Sequence, residues 1–175
     1  MNRAFRFGLM LMFLSCVGCD QATKILAKTH LPDRPPYLLL NGTVRIQYAE
    51  NTGAFLSLGA ELPEEARFFL FVVLVGSILA AGLAFAFSSR RLGLMQKAGL
   101  ILAVGGGIGN LIDRIAHGAV VDFVSLGIGP LRTGIFNVAD VAITTGLVLF
   151  LLSASPPEEG DSPHPPPSAQ EPDPV

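Results

Sequence analysis

The chain has 175 residues, which suits one domain, and half of its residues are hydrophobic while only 15% are charged. The hydrophobic residues collect in four long blocks, a distribution that excludes an ordinary globular core and indicates a membrane protein. The formal net charge of −2 arises in the C-terminal tail, because five of the fourteen acidic residues and eight of the thirteen prolines lie in residues 153–175.

The four apolar blocks are predicted to cross the membrane as helices. Residues 68–87 contain no charged residue and are long enough to span the hydrocarbon layer. Three further blocks of similar length contain a few polar residues, and they are 7–26, 98–116 and 135–152. We therefore expect a mainly α-helical membrane domain over residues 1–152, with an outer β-sheet cradle at about residues 28–66. The Pro-rich, acidic tail at 153–175 is predicted to be disordered.

Basic residues near the span ends predict how the chain is oriented. They precede the first span and fill the loop between the second and third spans, and they are Arg3, Arg6, Arg90, Arg91 and Lys97. The positive-inside rule places these segments, and with them both termini, in the cytoplasm. Residues 27–67 and 117–134 are then predicted to face outward.

Two cysteines in the first span, Cys16 and Cys19, form a C-x-x-C pattern. A redox pair needs a thioredoxin-like βαβ setting, and a structural metal site needs more ligands than two thiols. We interpret both cysteines as small packing residues. The sequence around them also resembles a lipoprotein cleavage site, but three further spans follow, so we treat this likeness as chance.

The first span ends with Asp20 and Lys24, which are four positions apart and share one helix face. One interpretation is an interfacial salt bridge from which Lys24 extends toward the lipid headgroups. The other is an ordered polar anchor beside a functional site. Spacing alone favours the interfacial salt bridge.

Residues 37–49 predict a β-hairpin on the outer surface. Asn41-Gly42 separates two β-prone runs, and this dipeptide suits the positive φ angles of a type I′ turn. The second run alternates apolar residues (Val44, Ile46 and Tyr48) with polar ones, so one face of the small sheet is apolar. Such a sheet can add a peptide strand or can serve only for packing, and the pattern leaves both open.

The third block contains the glycine-rich run 105–109. A nucleotide-binding fingerprint requires a strand–turn–helix setting and a different glycine spacing. Gly105 and Gly109 instead have the small-xxx-small spacing that lets membrane helices approach closely. We therefore assign this run to helix packing.

Polar residues share one helix face at the end of the third block and again in the fourth. Asn110, Asp113 and Arg114 lie at i, i+3 and i+4, and Asn137 and Asp140 lie at i and i+3. Polar groups at membrane depth must find partners or water. We expect Asp113 and Arg114 to pair with each other or with neighbouring spans, and the two polar faces to converge.

Asp122 and Asp140 are the most informative residues. Asp140 lies about two turns inside the fourth apolar block and Asp122 in the short connection before it; a charge at membrane depth costs at least about 2.5–3.5 kcal/mol. Two adjacent carboxylates can share one proton, so that one activates water while the other polarises a carbonyl, without metal or cofactor. A proton relay in a transporter and a non-catalytic polar contact between helices remain open on this pattern.

Five separate blocks, spread over roughly residues 9–152, resemble the lipoprotein signal peptidases (signal peptidase II), the membrane aspartyl proteases of bacteria. Each block alone is weak, but five in this order make a specific match. The blocks are residues 20–24 (DQATK), 51–55 (NTGAF), 106–114 (GGIGNLIDR), 118–123 (GAVVDF) and 136–140 (FNVAD).

The resemblance implies four transmembrane helices with a small extracytoplasmic β-sheet cradle and an active site toward the outer leaflet of the bacterial cytoplasmic (inner) membrane. It implies that Asp122 and Asp140 are catalytic, with no metal or other cofactor. The implied supporting residues are Asp20, Lys24, Asn51, Gly53, Asn110, Asp113, Arg114 and Asn137.

The same resemblance implies cleavage of a prolipoprotein before a cysteine that carries a diacylglyceryl group. The implied partners are such substrates, membrane lipids and globomycin-type inhibitors, and no nucleic acid. One departure concerns residues 125–135, which lack the aromatic and acidic residues expected there.

Overall fold

The apolar blocks fold as helices, as the sequence predicts. The structure, a computed structural model, describes residues 3–54 and 57–153. Within these residues, three helices are long and apolar enough to cross a membrane, and a fourth apolar helix has 15 residues. They are α1 (Arg3–His30), a second span made of α2 (Glu64–Phe68), a π-helical segment (Phe69–Leu74) and α3 (Val75–Ser88), then α4 (Leu94–His117) and α5 (Val138–Leu152).

This arrangement confirms the predicted mainly helical membrane architecture with a small sheet. The interpretation of residues 153–175 as a disordered tail falls, apart from Ser153, outside the described residues.

The sheet has four antiparallel strands in the order β1-β2-β3-β4. The strands are β1 (Tyr37–Leu39), β2 (Val44–Asn51), β3 (Val120–Ile128) and β4 (Leu131–Arg132). The predicted hairpin joins β1 to β2. Asn41 and Gly42 adopt φ angles of 53° and 84°, and the Thr43 amide donates to the Leu40 carbonyl at 3.1 Å, as a turn with two left-handed residues requires.

The predicted cradle at residues 28–66 contains only half of this sheet. β3 and β4 come from the segment between α4 and α5, which the sequence had presented as a short connection. The β-branched run around Val120 and Val121 is the signal that reveals β3 in retrospect. An irregularity between Ile46 and Ala49 shifts the register of β2 against β3, and the expected alternation of buried and exposed residues along β2 is absent.

Helix α4 lies at the centre of the bundle because its glycines admit neighbours on three sides. A methyl group on Gly99 or Gly106 would meet backbone atoms of α5, and one on Gly107 would meet Leu79 of α3. Gly105 and Gly109 both face α1, the first against Cys16 and the second against Asp20. The predicted packing role of these two glycines is confirmed: α4 meets the backbone of α5 at Gly99 and Gly106, and side chains of α1 at Gly105 and Gly109.

We expect Gly106→Ala to destabilise the protein. Its added methyl group would collide with the Ala139 carbonyl and lie 2.9 Å from the Ile143 side chain, and overpacking of this kind costs about 1–3 kcal/mol. Thermal unfolding in detergent measures the effect. Gly18→Ala is the matched control, since Gly18 has nothing within 4 Å of the added carbon. Equal melting temperatures for the two variants would contradict the tight α4–α5 contact.

Candidate active site

Lys24 lies at the centre of a buried polar cluster between α1 and α4. Its Nζ is 2.8 Å from Asp20 Oδ2 and 3.0 Å from Asp113 Oδ2, and it donates to Asn110 Oδ1 at 2.7 Å. Lys24 is only 1% exposed and Asp20 is fully buried. The favoured interpretation, an interfacial salt bridge with Lys24 extended toward the headgroups, is therefore wrong. Three acceptors enclose the ammonium group, so the pair is an internal anchor.

The two carboxylates that bind Lys24 also hold the segments that follow α4. Asp20 Oδ1 accepts a hydrogen bond from the Ala139 amide at 2.9 Å, in the first turn of α5. Asp113 Oδ2 accepts one from the Val121 amide at 3.4 Å, in β3. Because Asp140 follows Ala139 and Asp122 follows Val121, the anchor positions the backbone beside both predicted catalytic residues.

Asp140 lies in the first turn of α5. The prediction that placed it about two turns inside the fourth span is therefore wrong. Asn137 caps the helix. Its side-chain Oδ1 accepts from the backbone amide of Asp140 at 3.0 Å, and its backbone amide donates to Asp140 Oδ2 at 3.1 Å. Asn110 Nδ2 donates to Asp140 Oδ1 at 2.9 Å. The cap explains why Asp140 lies less deep than predicted. It begins the helix at this point, and a helix N-terminus stabilises a carboxylate in its first turn.

Asp122 lies in β3, paired opposite Ala49 of β2, and not in a loop. It is 4% exposed. Its Oδ1 accepts from Asn137 Nδ2 at 2.7 Å and its Oδ2 from Asn51 Nδ2 at 3.2 Å. Asn137 thus donates to Asp122 through its side chain and to Asp140 through its backbone, which brings the two predicted aspartates together.

The surroundings of Asp122 raise its pKa toward neutral pH. Burial and, after it, the negative charge of Asp140 bring the pKa of this carboxyl to about 6. The amides of Asn51 and Asn137 oppose these two effects. With its pKa at about 6, Asp122 can hold a proton in the pH range where its neighbour needs to be charged.

Arg114 does not pair with Asp113, although the two are adjacent in sequence. Its Nη2 donates to the Gly53 carbonyl at 2.6 Å, and its guanidinium lies 5.5 Å from the centre of the Phe71 ring. Asp113 is instead bound to Lys24. Arg114 therefore connects α4 to the loop that follows β2 and to the second span.

Gly53 lets this loop fold tightly under Asn51. The Gly53 amide donates to Asn51 Oδ1 at 3.0 Å, and Asn51 Nδ2 donates to the Ala54 carbonyl at 3.1 Å. A Cβ at Gly53 would lie 2.6 Å from the Ser57 and Leu58 carbonyl oxygens, so a larger residue cannot replace glycine without moving the loop. The fold orients Asn51 toward Asp122.

Both aspartates line one cavity of about 810 Å³. Apolar side chains from the second span and α5 form much of its wall, including Phe71, Val75 and Ile143. Residues 132–136 line it as well, although the sequence left the contacts of residues 125–135 in doubt. All predicted site residues of α4, α5, β2 and β3 thus meet at or beside this cavity, and Asp20 and Lys24 support it from α1.

The sequence did not predict some of the polar and aromatic contacts around the site. Gln21 donates to the Gly109 carbonyl at 3.0 Å, and Arg132 binds the Gly42 carbonyl at 2.9 Å. Gln21 follows Asp20, so the helix spacing did not place it on the same face. An isolated arginine on a two-residue strand, such as Arg132, has no local signature. Neither has an aromatic residue in an apolar span, such as Phe71.

Cys16 and Cys19 take no part in the site. Cys16 packs against Gly105, Cys19 is exposed, and both are free thiols. In the part of the chain that the structure describes, no group of three His, Cys, Asp or Glu side chains is placed to hold a metal ion.

Comparison with known proteins assigns the family. A family model described as Signal peptidase (SPase) II matches residues 12–155. The chain belongs to the signal peptidase II family. It is therefore a membrane peptidase, as the resemblance in the sequence implied.

Curated relatives agree with this membership. The lipoprotein signal peptidase of Sphingopyxis alaskensis is 37% identical over 151 residues, covering 85% of this chain and 85% of that protein. The lipoprotein signal peptidase of Clostridioides difficile is 31% identical over 143 residues, covering 82% and 91%.

Solved structures support the fold. A bacterial membrane enzyme determined by the in meso method at 2.3 Å resolution is similar with a TM-score of 0.73 and 27% identity, over 83% of this chain and 85% of that one. A second, determined at 1.9 Å resolution, gives 0.72 and 26%, over 83% and 90%.

We expect Lys24→Met to destabilise the protein by about 3–5 kcal/mol, because it leaves two buried carboxylates without their cation. Denaturant unfolding in detergent measures the loss. Lys28→Met, one turn later on α1, is the control: Lys28 approaches only His117, in an exposed contact, so its loss costs about 0–1 kcal/mol. A Lys24→Met protein as stable as the control would show that Lys24 does not anchor the cluster.

Proposed function

We propose that this peptidase removes signal peptides from diacylglyceryl-modified prolipoproteins, cutting before the lipidated cysteine with Asp122 and Asp140 as a catalytic dyad. The observation that supports this is the position of Asn137, which donates to one carboxylate through its side chain and to the other through its backbone. Both carboxylates also line the same cavity. The family membership supplies the reaction class.

In the proposed mechanism, the dyad holds one proton and a water molecule between its carboxyl groups. The ionised carboxylate removes a proton from this water as its oxygen forms a bond to the scissile carbonyl carbon. The protonated carboxyl donates its proton to the carbonyl oxygen. The tetrahedral intermediate then collapses: the C–N bond breaks, and the carboxyl that took the proton from water gives it to the leaving amine. One hydroxyl group of the intermediate returns its proton to the other carboxylate as the new carboxyl group forms, so the dyad again holds one proton.

Hydrogen bonding around the dyad suits this exchange of roles. Each carboxylate accepts two N–H donors, Asp122 from Asn51 and Asn137, and Asp140 from Asn110 and Asn137. At Asp122 these donors stabilise the ionised form, while burial and the charge of Asp140 stabilise the protonated form. The opposed effects allow either carboxyl to carry the proton, and the apparent pKa values belong to the pair.

The walls of the cavity suit a lipidated peptide. Val141, Thr144 and Thr145 line it and are exposed on the outer surface of α5, so the cavity is open toward the surrounding lipid. Phe71 and Val75 form the opposite wall. We place the diacylglyceryl chains in this opening, with the scissile bond at Asp122 and Asp140, and we expect globomycin-type inhibitors to occupy the same space.

We further propose that the enzyme lies in the bacterial cytoplasmic (inner) membrane with its active site toward the outer leaflet and both termini in the cytoplasm. The distribution of charge supports this orientation. Arg3, Arg6, Arg90 and Arg91 lie at the end of the bundle remote from Asp122 and Asp140, and such residues are retained on the cytoplasmic side.

Replacing either aspartate should abolish the reaction without unfolding the protein. We expect Asp122→Asn and Asp140→Asn each to lower kcat/KM at least about 100-fold, since acid–base catalysis contributes about 10²–10⁴. Cleavage of a diacylglyceryl-modified precursor peptide by protein in detergent measures the rate. Asp33→Asn is the control, because Asp33 lies in the loop between α1 and β1, away from the cavity.

Full cleavage by either dyad variant would exclude the proposed mechanism. If the folded parent protein cleaves no lipidated precursor, the substrate assignment is wrong and the polar cluster serves another purpose, such as proton transfer or helix association.

The alkaline limb of the pH–rate profile should depend on Asn51. The dyad loses its shared proton as pH rises through about 6, the raised pKa of Asp122, so kcat/KM should fall above this pH. Asn51 lowers that pKa by donating to the ionised carboxylate. Asn51→Ala therefore should move the alkaline limb to higher pH, whereas Gln47→Ala, on the same strand, should leave it in place. A shift to lower pH would contradict the assigned role.

A further inference from the structure

A second cavity, of about 890 Å³, lies at the opposite end of the helix bundle. It is formed by the beginning of α1, the end of α3 and the beginning of α4, and its walls include Phe5, Arg6, Phe87, Arg90, Leu94 and Lys97. Lys97 and Gly107, the nearest α4 residues of the two cavities, are ten positions apart, so the cavities are separated by about 15 Å along the helix. The proposed peptidase chemistry does not use this cavity.

Its polar lining is entirely basic or neutral among the described residues. Arg6, Arg90 and Lys97 contribute three cations, Ser88 and Ser89 contribute hydroxyl groups, and no described Asp or Glu lines it. The N-terminus of α4 also lies here, since Leu94 is its first residue, and it adds partial positive charge. The cavity is therefore a site for an anion.

The remaining walls are apolar and continue onto the outer surface of the bundle. Phe5 and Phe87 are half-buried within the cavity, and Leu94 is exposed at its margin. Phe7 on α1 and Phe85 on α3 are exposed close by along the chain. A free phosphate ion gains nothing from such walls, whereas a phospholipid presents an anionic headgroup and acyl chains together.

We propose that this cavity binds the headgroup of an anionic phospholipid. The phosphate lies against Arg6 and Arg90, and the acyl chains lie along the exposed apolar surface near Phe87 and Leu94. The bound lipid holds the ends of α1, α3 and α4 together at the membrane surface, on the side that the positive-inside rule assigns to the cytoplasm.

The acidic tail is a rival anion, because α5 ends at Leu152 on this side of the bundle. The tail carries five carboxylates, but beyond residue 153 its only apolar residues are alanine, proline and one valine. It offers no large side chain to fill a space lined by phenylalanines. The composition of the cavity therefore favours a lipid.

Titration of the full-length protein in detergent with dioctanoyl phosphatidylglycerol tests this proposal. We expect saturable binding that is at least about five-fold tighter than that of dioctanoyl phosphatidylcholine, since one basic residue contributes about five-fold in affinity. Arg90→Gln and Arg6→Gln should each weaken binding by about the same factor. Arg91→Gln is the matched control: it removes the same charge from the same loop but does not line the cavity.

Four outcomes would overturn the proposal. The first is equal affinity for the zwitterionic lipid, and the second is an equal loss in Arg91→Gln and Arg90→Gln, which would show surface attraction only. The third is displacement of the lipid by millimolar inorganic phosphate, which would show a free-phosphate site. The fourth is a large gain in lipid affinity when the five tail carboxylates are changed to amides, which would identify the tail as occupant.

Discussion

A single buried ammonium group, that of Lys24, is the constraint on which the polar centre of this enzyme depends. Lys24 binds Asp20 within α1 and Asp113 and Asn110 on α4. The two carboxylates then accept backbone amides of α5 and β3. Removing such a cation leaves two charges without compensation in a region of low dielectric constant, which is far costlier than the loss of a surface pair. The position of each proposed catalytic aspartate is therefore tied to a charge that does not itself reach the cavity.

The ammonium group also determines the direction of the amides around the dyad. A lysine can only donate, so the oxygen of Asn110 faces Lys24 and its nitrogen must face Asp140. The capping role of Asn137 fixes its oxygen on the Asp140 amide, which leaves its nitrogen for Asp122. Both carboxylates thus meet donors only. At Asp122 these donors stabilise the ionised form, whereas burial and the negative charge of Asp140 raise the pKa to about 6.

The sequence predicted the membrane helices, the hairpin and the proximity of Asp122 and Asp140, because these leave local patterns of hydropathy, turn chemistry and motif. It did not predict the burial of Lys24, because its partners Asn110 and Asp113 are more than eighty positions away. The four-residue spacing of Asp20 and Lys24 is the same on a protein surface and in a core. It placed Asp140 too deep, because hydropathy shows an apolar block but not the cap at Asn137 that begins the helix. It did not predict β3, because the segment around Asp122 lies between two apolar blocks and has the length of a short connection, although Val120 and Val121 are β-branched.

The helices contribute in different ways to the cavity that holds Asp122 and Asp140. Glycines fix α4 against the backbone of α5 and against side chains of α1, and the apolar environment supplies little other force between helices. Among the described residues, the two carboxylates accept hydrogen bonds from side chains on α4 (Asn110), at the N-cap of α5 (Asn137) and on β2 (Asn51). The second span contributes apolar wall residues, Phe71 and Val75, and a π-helical segment, a feature that often occurs at functional sites. Arg114 links this wall to the polar centre, because it donates to the Gly53 carbonyl and its guanidinium lies over the Phe71 ring.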